Sequence, residues 1–262
     1  MCGIFLHLSE DTIDVENVRG YGNKMSHRGP DSTVEKVLNV DKNIYFLFHR
    51  LAINGLNEMG NQPMDIDNKI LMCNGEIYNY KELAEKYNFT LTTGSDCEII
   101  IHLSKILPIN EYIHLLDGVF SFVLYDKNSK CLTIGHDPLG VRPLYWSKGN
   151  NDDDCREITL SSEMKSIYGL KDDIEFYPPG SFSMYYLNTN KLHTYSYYDF
   201  IYDRITSNEE DILTTIKSKL TQAVKKRLLG ERPIGCLLSG GLDSSVITSI
   251  VCKFIEPSKV KT

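Results

Sequence analysis

The chain has 262 residues, enough for one large domain or for one domain with part of a second. At 42% hydrophobic and 24% charged residues, its composition is that of an ordinary globular protein with a substantial core. The net charge of −7 gives no footprint for nucleic acid or an anionic membrane surface, and no apolar run approaches the roughly 18 residues of a membrane span.

The N-terminus and the cysteines indicate a cytoplasmic protein. The first residues are apolar but lack a basic segment and a cleavage site, so no signal peptide is predicted. There are seven cysteines, an odd number that cannot all form pairs; they are widely spaced, and no Cys-x-x-Cys motif occurs. This pattern supports neither a zinc site nor a disulfide framework, and we predict no bound metal.

Residues 1–200 mix short strands with a few helices. Apolar residues recur at helical spacing in 12–26 and 98–107, which predicts two helices. Aromatic and β-branched runs predict strands at 44–48, 70–73, 118–125, 131–134, 143–147, 157–162 and 181–187. Because some of these strands are joined by short turns as hairpins, we expect antiparallel sheets covered by helices, an α+β arrangement.

Residues 201–262 follow a different pattern. A capping box at 207–210 begins a predicted helix at 208–229. A buried strand at 233–238, a tight glycine-rich loop at 239–242 and a helix at 243–254 come next. Helix, strand, loop and helix in this order open a doubly wound α/β domain, but too few residues follow to complete its sheet.

Cys2 directly follows the first methionine. Removal of Met1 would leave one residue with both a thiol and a free α-amine, whose ordinary pKa values of about 8.5 and 7.7–8.0 lie close to neutrality. The amine could then take the thiol proton, so that Cys2 acts as a nucleophile. The alternative is an incidental cysteine at a frayed terminus.

Five motifs support the nucleophile. They are Met-Cys-Gly-Ile-Phe at 1–5, His-Arg-Gly-Pro-Asp at 27–31, His-Arg-Leu-Ala-Ile at 49–53, Asn-Gly-Glu-Ile-Tyr-Asn at 74–79 and Gly-Ser-Asp at 94–96. In this order they resemble the N-terminal-nucleophile (class II) glutamine amidotransferases. The resemblance covers roughly residues 1–200 and implies an αββα sandwich of antiparallel sheets with a glutaminase activity.

The same resemblance implies a glutamine pocket. Its residues would be Arg50, Leu51, Ala52, Ile53, Asn54, Asn74, Gly75, Glu76 and Asp96. Arg50 can clamp the α-carboxylate with two charge-assisted hydrogen bonds, and Asp96 can accept from the α-ammonium. With Cys2 as nucleophile, the Asn74 side chain and the Gly75 N–H would form the oxyanion hole.

These residues also have structural interpretations. Asn74-Gly75 could be a hairpin turn, and Arg50 an ordinary surface arginine. His27 and His49 are read as structural or pocket-lining, because an amine at the nucleophile makes a histidine base unnecessary. Arg142, within a further matching segment, has no predicted role beyond packing or an ion pair.

The glycine-rich loop has its own resemblance. Its candidate nucleotide-binding residues are Leu238, Ser239, Gly240, Gly241, Asp243, Ser244 and Ser245. Glycines, backbone N–H groups and hydroxyls suit phosphate, although the spacing is not that of a P-loop. The segment resembles the pyrophosphate loop of the ATP pyrophosphatases. A glycine-rich turn without a ligand is the alternative.

A glutaminase at 1–200 followed by such a loop in 201–262 resembles glutamine-hydrolysing asparagine synthetase. That family implies aspartate, glutamine and ATP as substrates, with ATP and magnesium needed for synthesis and neither for glutamine hydrolysis. Homodimerisation stays open. A β-lactam synthetase is disfavoured because its first domain is typically degenerate. The alternative function is a non-catalytic, glutamine-binding remnant or regulatory fragment.

Overall fold

The computed structural model describes residues 1–149, 151–200, 202 and 208–262. It divides into two units, Met1–Asp199 and Phe200–Thr262. None of the helices in these ranges combines the length and the apolar composition that a membrane crossing requires.

The first unit contains two six-stranded sheets in which all neighbouring strands are antiparallel. The strands of the first sheet are, in spatial order, β10 (Glu175–Phe176), β8 (Tyr145–Lys148), β9 (Glu157–Ser161), β1 (Gly3–Ser9), β3 (Asn43–Arg50) and β2 (Ser32–Asn39). Those of the second sheet are β12 (Lys191–Ser196), β11 (Ser181–Tyr186), β7 (Cys131–His136), β6 (Gly118–Asp126), β5 (Lys69–Ile77) and β4 (Met64–Ile66).

The main core lies between these sheets. Successive side chains of a strand point to opposite faces, so Ile4, Leu6 and Leu8 of β1 face the second sheet while Phe5 faces outward. Alternate residues of β3, β5, β6 and β7 join the same inner cluster. Two apolar sheet faces packed together are the arrangement of a β-sandwich.

Helices cover both outer faces. The α-helices of this unit are α1 (Val15–Gly22), α2 (Tyr80–Tyr87), α3 (Glu98–Ile106) and α4 (Ile109–Tyr112). Val18 of α1 and Met25 pack on the outer face of the first sheet, and Ile99, Ile100 and Leu103 of α3 pack on that of the second. The layers run helix, sheet, sheet, helix, and the predicted αββα sandwich is confirmed. Short 3-10 helices occur at Asn23–Arg28, Glu58–Gly60, Ile113–Leu115, Asp152–Asp154, Met164–Ser166 and Pro257–Lys259.

The described residues of the second unit form two α-helices, α5 (Glu209–Lys226) and α6 (Leu242–Val251). They share a small core of Val224, Ile250 and Val251. Ser207, the first residue of the predicted capping box, lies outside the described residues. The side chain of Asn208 caps α5 by accepting from the Asp211 N–H at 2.9 Å.

The predicted strand at 233–238 does not form. Gly235 makes an isolated parallel bridge to Lys261, and the segment is otherwise irregular. Leu237 is 98% exposed, so the segment is not buried either. A strand of a parallel sheet is stabilised by neighbouring strands and by helices on both faces, and the described part of this unit supplies one bridge. Residues 233–238 therefore have the apolar sequence of a buried strand but no neighbouring strands among the described residues with which to form a sheet.

Candidate functional site

One pocket of the first unit gathers every residue predicted to bind glutamine. It contains about 490 Å³ of empty space, its open mouth included. Its wall is formed by Met1, Cys2, residues 50–54, Gly60, Gln62, residues 73–76, residues 95–97 and Arg142. These segments are far apart in the sequence, and they meet where β3 and β5 of the two facing sheets end.

The half-buried Cys2 precedes β1, a central strand of the first sheet. Its Sγ lies 3.4 Å from the Leu51 nitrogen, which donates to it, and 3.5 Å from the Leu51 carbonyl oxygen, which accepts from the thiol. Arg28 Nε donates to the Cys2 carbonyl oxygen at 2.8 Å, and Arg28 also pairs with Glu163. The His-Arg-Gly-Pro-Asp motif therefore fixes the backbone of the candidate nucleophile.

The electrostatics at Cys2 call for a base. Burial raises the pKa of its thiol above the ordinary value, although the Leu51 N–H opposes this shift. The α-amine, which belongs to Met1 in the full chain, has a pKa lowered by burial and by the guanidinium groups of Arg28 and Arg142. A thiol with a raised pKa needs a nearby base to become a nucleophile, and removal of Met1 would place an α-amine on Cys2 itself.

Asn74 and Gly75 lie in β5 rather than in a hairpin turn. The Asn74 side chain is almost fully buried, and its Nδ2 has no hydrogen-bond acceptor among the described residues. Gly75 pairs with Phe120, and a Cβ there would lie 2.4 Å from the Val119 carbonyl oxygen. Only glycine fits so close a backbone approach. The pocket thus holds a buried amide donor available to a ligand.

Arg50 ends β3 and is nearly buried, which is not the setting of a surface arginine. Its Nη1 donates to the Asn57 carbonyl oxygen at 2.8 Å and to Asn61 Oδ1 at 2.9 Å. Its Nη2 donates to the carbonyl oxygens of Asn54, at 3.2 Å, and of Gly55. The guanidinium holds the loop after β3 in place, so a bidentate clamp on a carboxylate requires some of these partners to be exchanged.

Asp96 is buried and lies next to the loop that follows β3. Its Oδ1 accepts from Asn54 Nδ2 at 3.2 Å and its Oδ2 from the Ile77 N–H at 2.7 Å. Burial raises its pKa despite these bonds. Gly55 and Gly94, with φ of +61° and +73°, let the two loops touch, because a Cβ at Gly55 would lie 2.8 Å from the Gly94 carbonyl carbon. A cationic group beside Asp96 would favour its ionised form.

Several pocket residues have no predicted role in the site: Gly60, Gln62, Cys73, Ser95, Cys97 and Arg142. Arg142 Nη2 pairs with Glu76 Oε1 at 3.1 Å, and its buried Nε has no acceptor within the described ranges. Cys73 and Cys97 line the pocket as well as the core. Cys73 immediately precedes Asn74, and Cys97 follows Asp96, so their proximity to predicted site residues was the available signal.

The two histidines lie away from the pocket lining. His49 is buried, with Nδ1 2.8 Å from Thr33 Oγ1 and Nε2 3.3 Å from the Gly22 carbonyl oxygen. His27 is exposed and pairs with Glu163. Both therefore serve structure, and neither contacts the candidate nucleophile.

The glycine-rich loop of the second unit is exposed. Its residues from Leu238 to Gly241 precede α6, and Gly240 has φ of +83°. Ser239 Oγ lies 3.0 Å from Ser244 Oγ and accepts from the Gly241 N–H at 3.4 Å. Asp243 and Ser245 lie in the first turn of α6. The N–H groups that begin a helix and the two hydroxyls form a set of donors suited to an anion.

Comparison with protein families assigns the first unit. The model of the glutamine amidotransferase domain matches residues 1–211. The chain belongs to the glutamine amidotransferase family. A second model, asparagine synthase, matches residues 215–262.

The relatives of this amidotransferase are longer proteins. A probable glutamine-hydrolysing asparagine synthetase of Acanthamoeba polyphaga mimivirus is 34% identical, over 99% of this chain and 51% of its own length. The asparagine synthetases of Cricetulus griseus and Sandersonia aurantiaca are 35% and 37% identical, over 50% and 48% of theirs. The chain thus spans about half the length of the relatives it matches.

A solved structure agrees in fold. The glutamine phosphoribosylpyrophosphate amidotransferase of B. subtilis, complexed with ADP and GMP, superposes with a TM-score of 0.61 at 16% identity. The match covers 99% of this chain and 65% of that one. At this identity the likeness concerns the sandwich alone.

Proposed function

We propose that the first unit hydrolyses glutamine to glutamate and ammonia, with Cys2 as the nucleophile. The observation that carries the proposal is the buried Asn74 amide, which has no acceptor in the described structure and shares one pocket with the Cys2 thiol. A donor of this kind is suited to an oxygen that becomes negatively charged during the reaction.

The chemistry follows from these groups. After loss of Met1, the free α-amine takes the Cys2 thiol proton, and sulfur attacks the substrate carboxamide carbon. Asn74 Nδ2 and the Gly75 N–H donate to the resulting oxyanion. The amine returns the proton to the leaving nitrogen, so ammonia departs and a thioester remains. Water then attacks the thioester, which releases glutamate and restores the thiol.

Recognition of the amino-acid end falls to the two buried charges. Arg50 donates to the α-carboxylate after exchanging some of its loop carbonyl partners, and Asp96 accepts from the α-ammonium. Backbone groups of 51–54 and the Gly75-Glu76 segment complete the pocket. Burial raises the pKa of Asp96, and an α-ammonium beside it would oppose this shift by favouring the ionised carboxylate.

The second unit is proposed to begin an asparagine synthetase, which uses this ammonia to amidate aspartate. The donors of 239–245 fit the phosphates of ATP, which, when bound, would activate the carboxylate that ammonia attacks. No three His, Cys, Asp or Glu side chains in the described part of the chain lie close enough to hold a metal ion, so no step is assigned to magnesium. Domains at 1–200 and 201–262, a cytoplasmic location and a homodimer stay predictions.

Release of glutamate from glutamine by the purified chain tests the proposal. Wild-type protein should produce glutamate and ammonia in equal amounts without ATP, and Cys2→Ala should produce neither. The alternative, a glutamine-binding remnant, predicts binding by calorimetry with no turnover in either protein. The intact pocket and the asparagine synthetase relatives favour the enzyme.

A further inference from the structure

A buried carboxylate stands behind the pocket wall. Glu98, the first residue of α3, is fully buried, yet it does not line the pocket. It accepts from the Thr92 N–H at 2.9 Å and from the Thr93 N–H at 2.7 Å. It also accepts from the hydroxyls of Thr92 at 3.1 Å and Thr93 at 2.7 Å, and His102 Nε2 lies 3.2 Å away.

This carboxylate is charged inside the protein. Burial alone would raise the pKa of Glu98, but the hydrogen bonds from Thr93, Thr92 and His102 outweigh it and lower the pKa. A buried charge is costly unless its hydrogen bonds are satisfied. Five donors converge on Glu98, so the segment 92–93 is ordered around it.

The same network continues to the pocket. Thr93 Oγ1, which donates to Glu98, accepts from the Ser95 N–H at 3.1 Å. The Glu98 N–H donates to the Ser95 carbonyl oxygen at 3.2 Å, and Ser95 Oγ accepts from the Cys97 N–H at 3.3 Å. Ser95 is thus held at its nitrogen, carbonyl and side chain, and the next residue is Asp96.

We propose that Glu98 is a positioning residue for substrate recognition. Through Thr93 and Ser95 it fixes the carboxylate of Asp96 and so sets the preference for substrates that carry an α-ammonium group. Glu98 does not touch the substrate. The inference rests on the proposed glutaminase function, and it assigns that preference to a residue outside the pocket.

The test compares glutamine with glutaramate, the monoamide that lacks the α-amino group. Glu98→Gln keeps the shape but removes the charge and turns an amide NH₂ toward N–H or O–H donors. For glutamine, KM should rise roughly tenfold to hundredfold, as expected when a hydrogen bond to a charged group is weakened, and kcat should stay within about twofold. Glutaramate kinetics should be unchanged, so the preference for glutamine falls.

Thr93 supplies a second variant and a rescue. Thr93→Val removes the hydroxyl that joins Glu98 to Ser95 and should reproduce the loss of preference, whereas Thr93→Ser should retain it. Asp126→Asn is the matched control. Asp126, the last residue of β6, also accepts from two backbone N–H groups, those of Asn128 at 2.8 Å and Ser129 at 3.3 Å, but it does not line the pocket. Asp126→Asn should leave kcat and KM unchanged for both substrates.

The outcomes separate this inference from the function. If Glu98→Gln and Thr93→Val lower kcat/KM equally for glutamine and glutaramate, or lower kcat at constant KM, the positioning role is wrong. The glutaminase function would not be affected by either result. If wild type turns over neither substrate, the proposed function fails. Calorimetry on Cys2→Ala with each substrate then still tests the preference, and equal binding of glutamine and glutaramate would overturn the inference.

Discussion

Replacing Asn74 by alanine gives a quantitative test of the oxyanion hole. The Asn74 Nδ2 is buried and has no acceptor within the described residues. A buried, unsatisfied donor costs about 1–3 kcal/mol of stability. Asn74→Ala removes this cost and leaves a small cavity, so the two effects oppose each other and the melting temperature should change little.

Catalysis should respond very differently. The amide donates fully only when charge develops on the carboxamide oxygen, so its removal raises the barrier without weakening ground-state binding. Loss of one oxyanion-hole donor lowers kcat by about 10²–10³, or about 2.7–4 kcal/mol. We therefore expect kcat for glutamine hydrolysis to fall by this factor at nearly constant KM, measured by steady-state glutamate release.

Ser121 provides the matched control for Asn74. It lies opposite Asn74 in the β5–β6 register, and its buried Oγ also has no partner in the described structure. It is not among the pocket residues. Ser121→Ala should therefore leave kcat intact. A rise in KM alone for Asn74→Ala, or a loss of kcat matched by Ser121→Ala, would refute the oxyanion-hole role.

Four further predictions concern the nucleophile, the recognition charges and the second unit. Cys2→Ala should abolish hydrolysis with an unchanged melting temperature; a glutamine-mimicking electrophile should label Cys2 in preference to Cys73 and Cys97 by peptide mapping, and intact mass of the active protein should lack Met1. Arg50→Ala should raise KM more than it lowers kcat, and should also lower the melting temperature because the loop after β3 loses four hydrogen bonds; an unchanged KM would contradict the carboxylate clamp. Because burial raises the pKa of Asp96, its carboxylate is protonated at a higher pH than that of an ordinary aspartate, so kcat/KM should fall as the pH drops through that point. Asp96→Asn should have a low kcat/KM and should not show this acidic decrease. A polypeptide of residues 1–262 should make no asparagine with ATP, magnesium and aspartate; aspartate-dependent pyrophosphate release would show otherwise.

The sequence predicted the strands with clear aromatic or β-branched runs, including β3, β6 and β7. It missed β1, which is as buried as those strands but whose apolar run is short and interrupted by His7. The helix predicted at 12–26 begins at Val15 and ends at Gly22 as an α-helix, with a 3-10 segment beyond it. The local sequence pattern cannot show where an α-helix changes to a 3-10 helix, because packing against the rest of the protein determines that point.

The pocket residues were found because short motifs with unusual residue types identify the family. The sequence shows these residues and the order in which they occur. It does not show which residues they contact. That Arg50 is held by its own loop, and that Cys73 enters the pocket from β5, depends on contacts between segments distant in sequence. The exposed 233–238 segment shows the converse, because its apolar pattern predicts a strand that needs neighbours to form.

The position of Cys2 before β1 affects what can be fused to the N-terminus of this domain. Cys2 lies directly before a central strand, with its carbonyl held by Arg28, and the proposed mechanism uses its free amine as the base. An affinity tag or a second module fused upstream would acylate that amine and crowd the pocket mouth. If the proposed mechanism holds, a fusion placed upstream should be inactive until a peptidase frees Cys2.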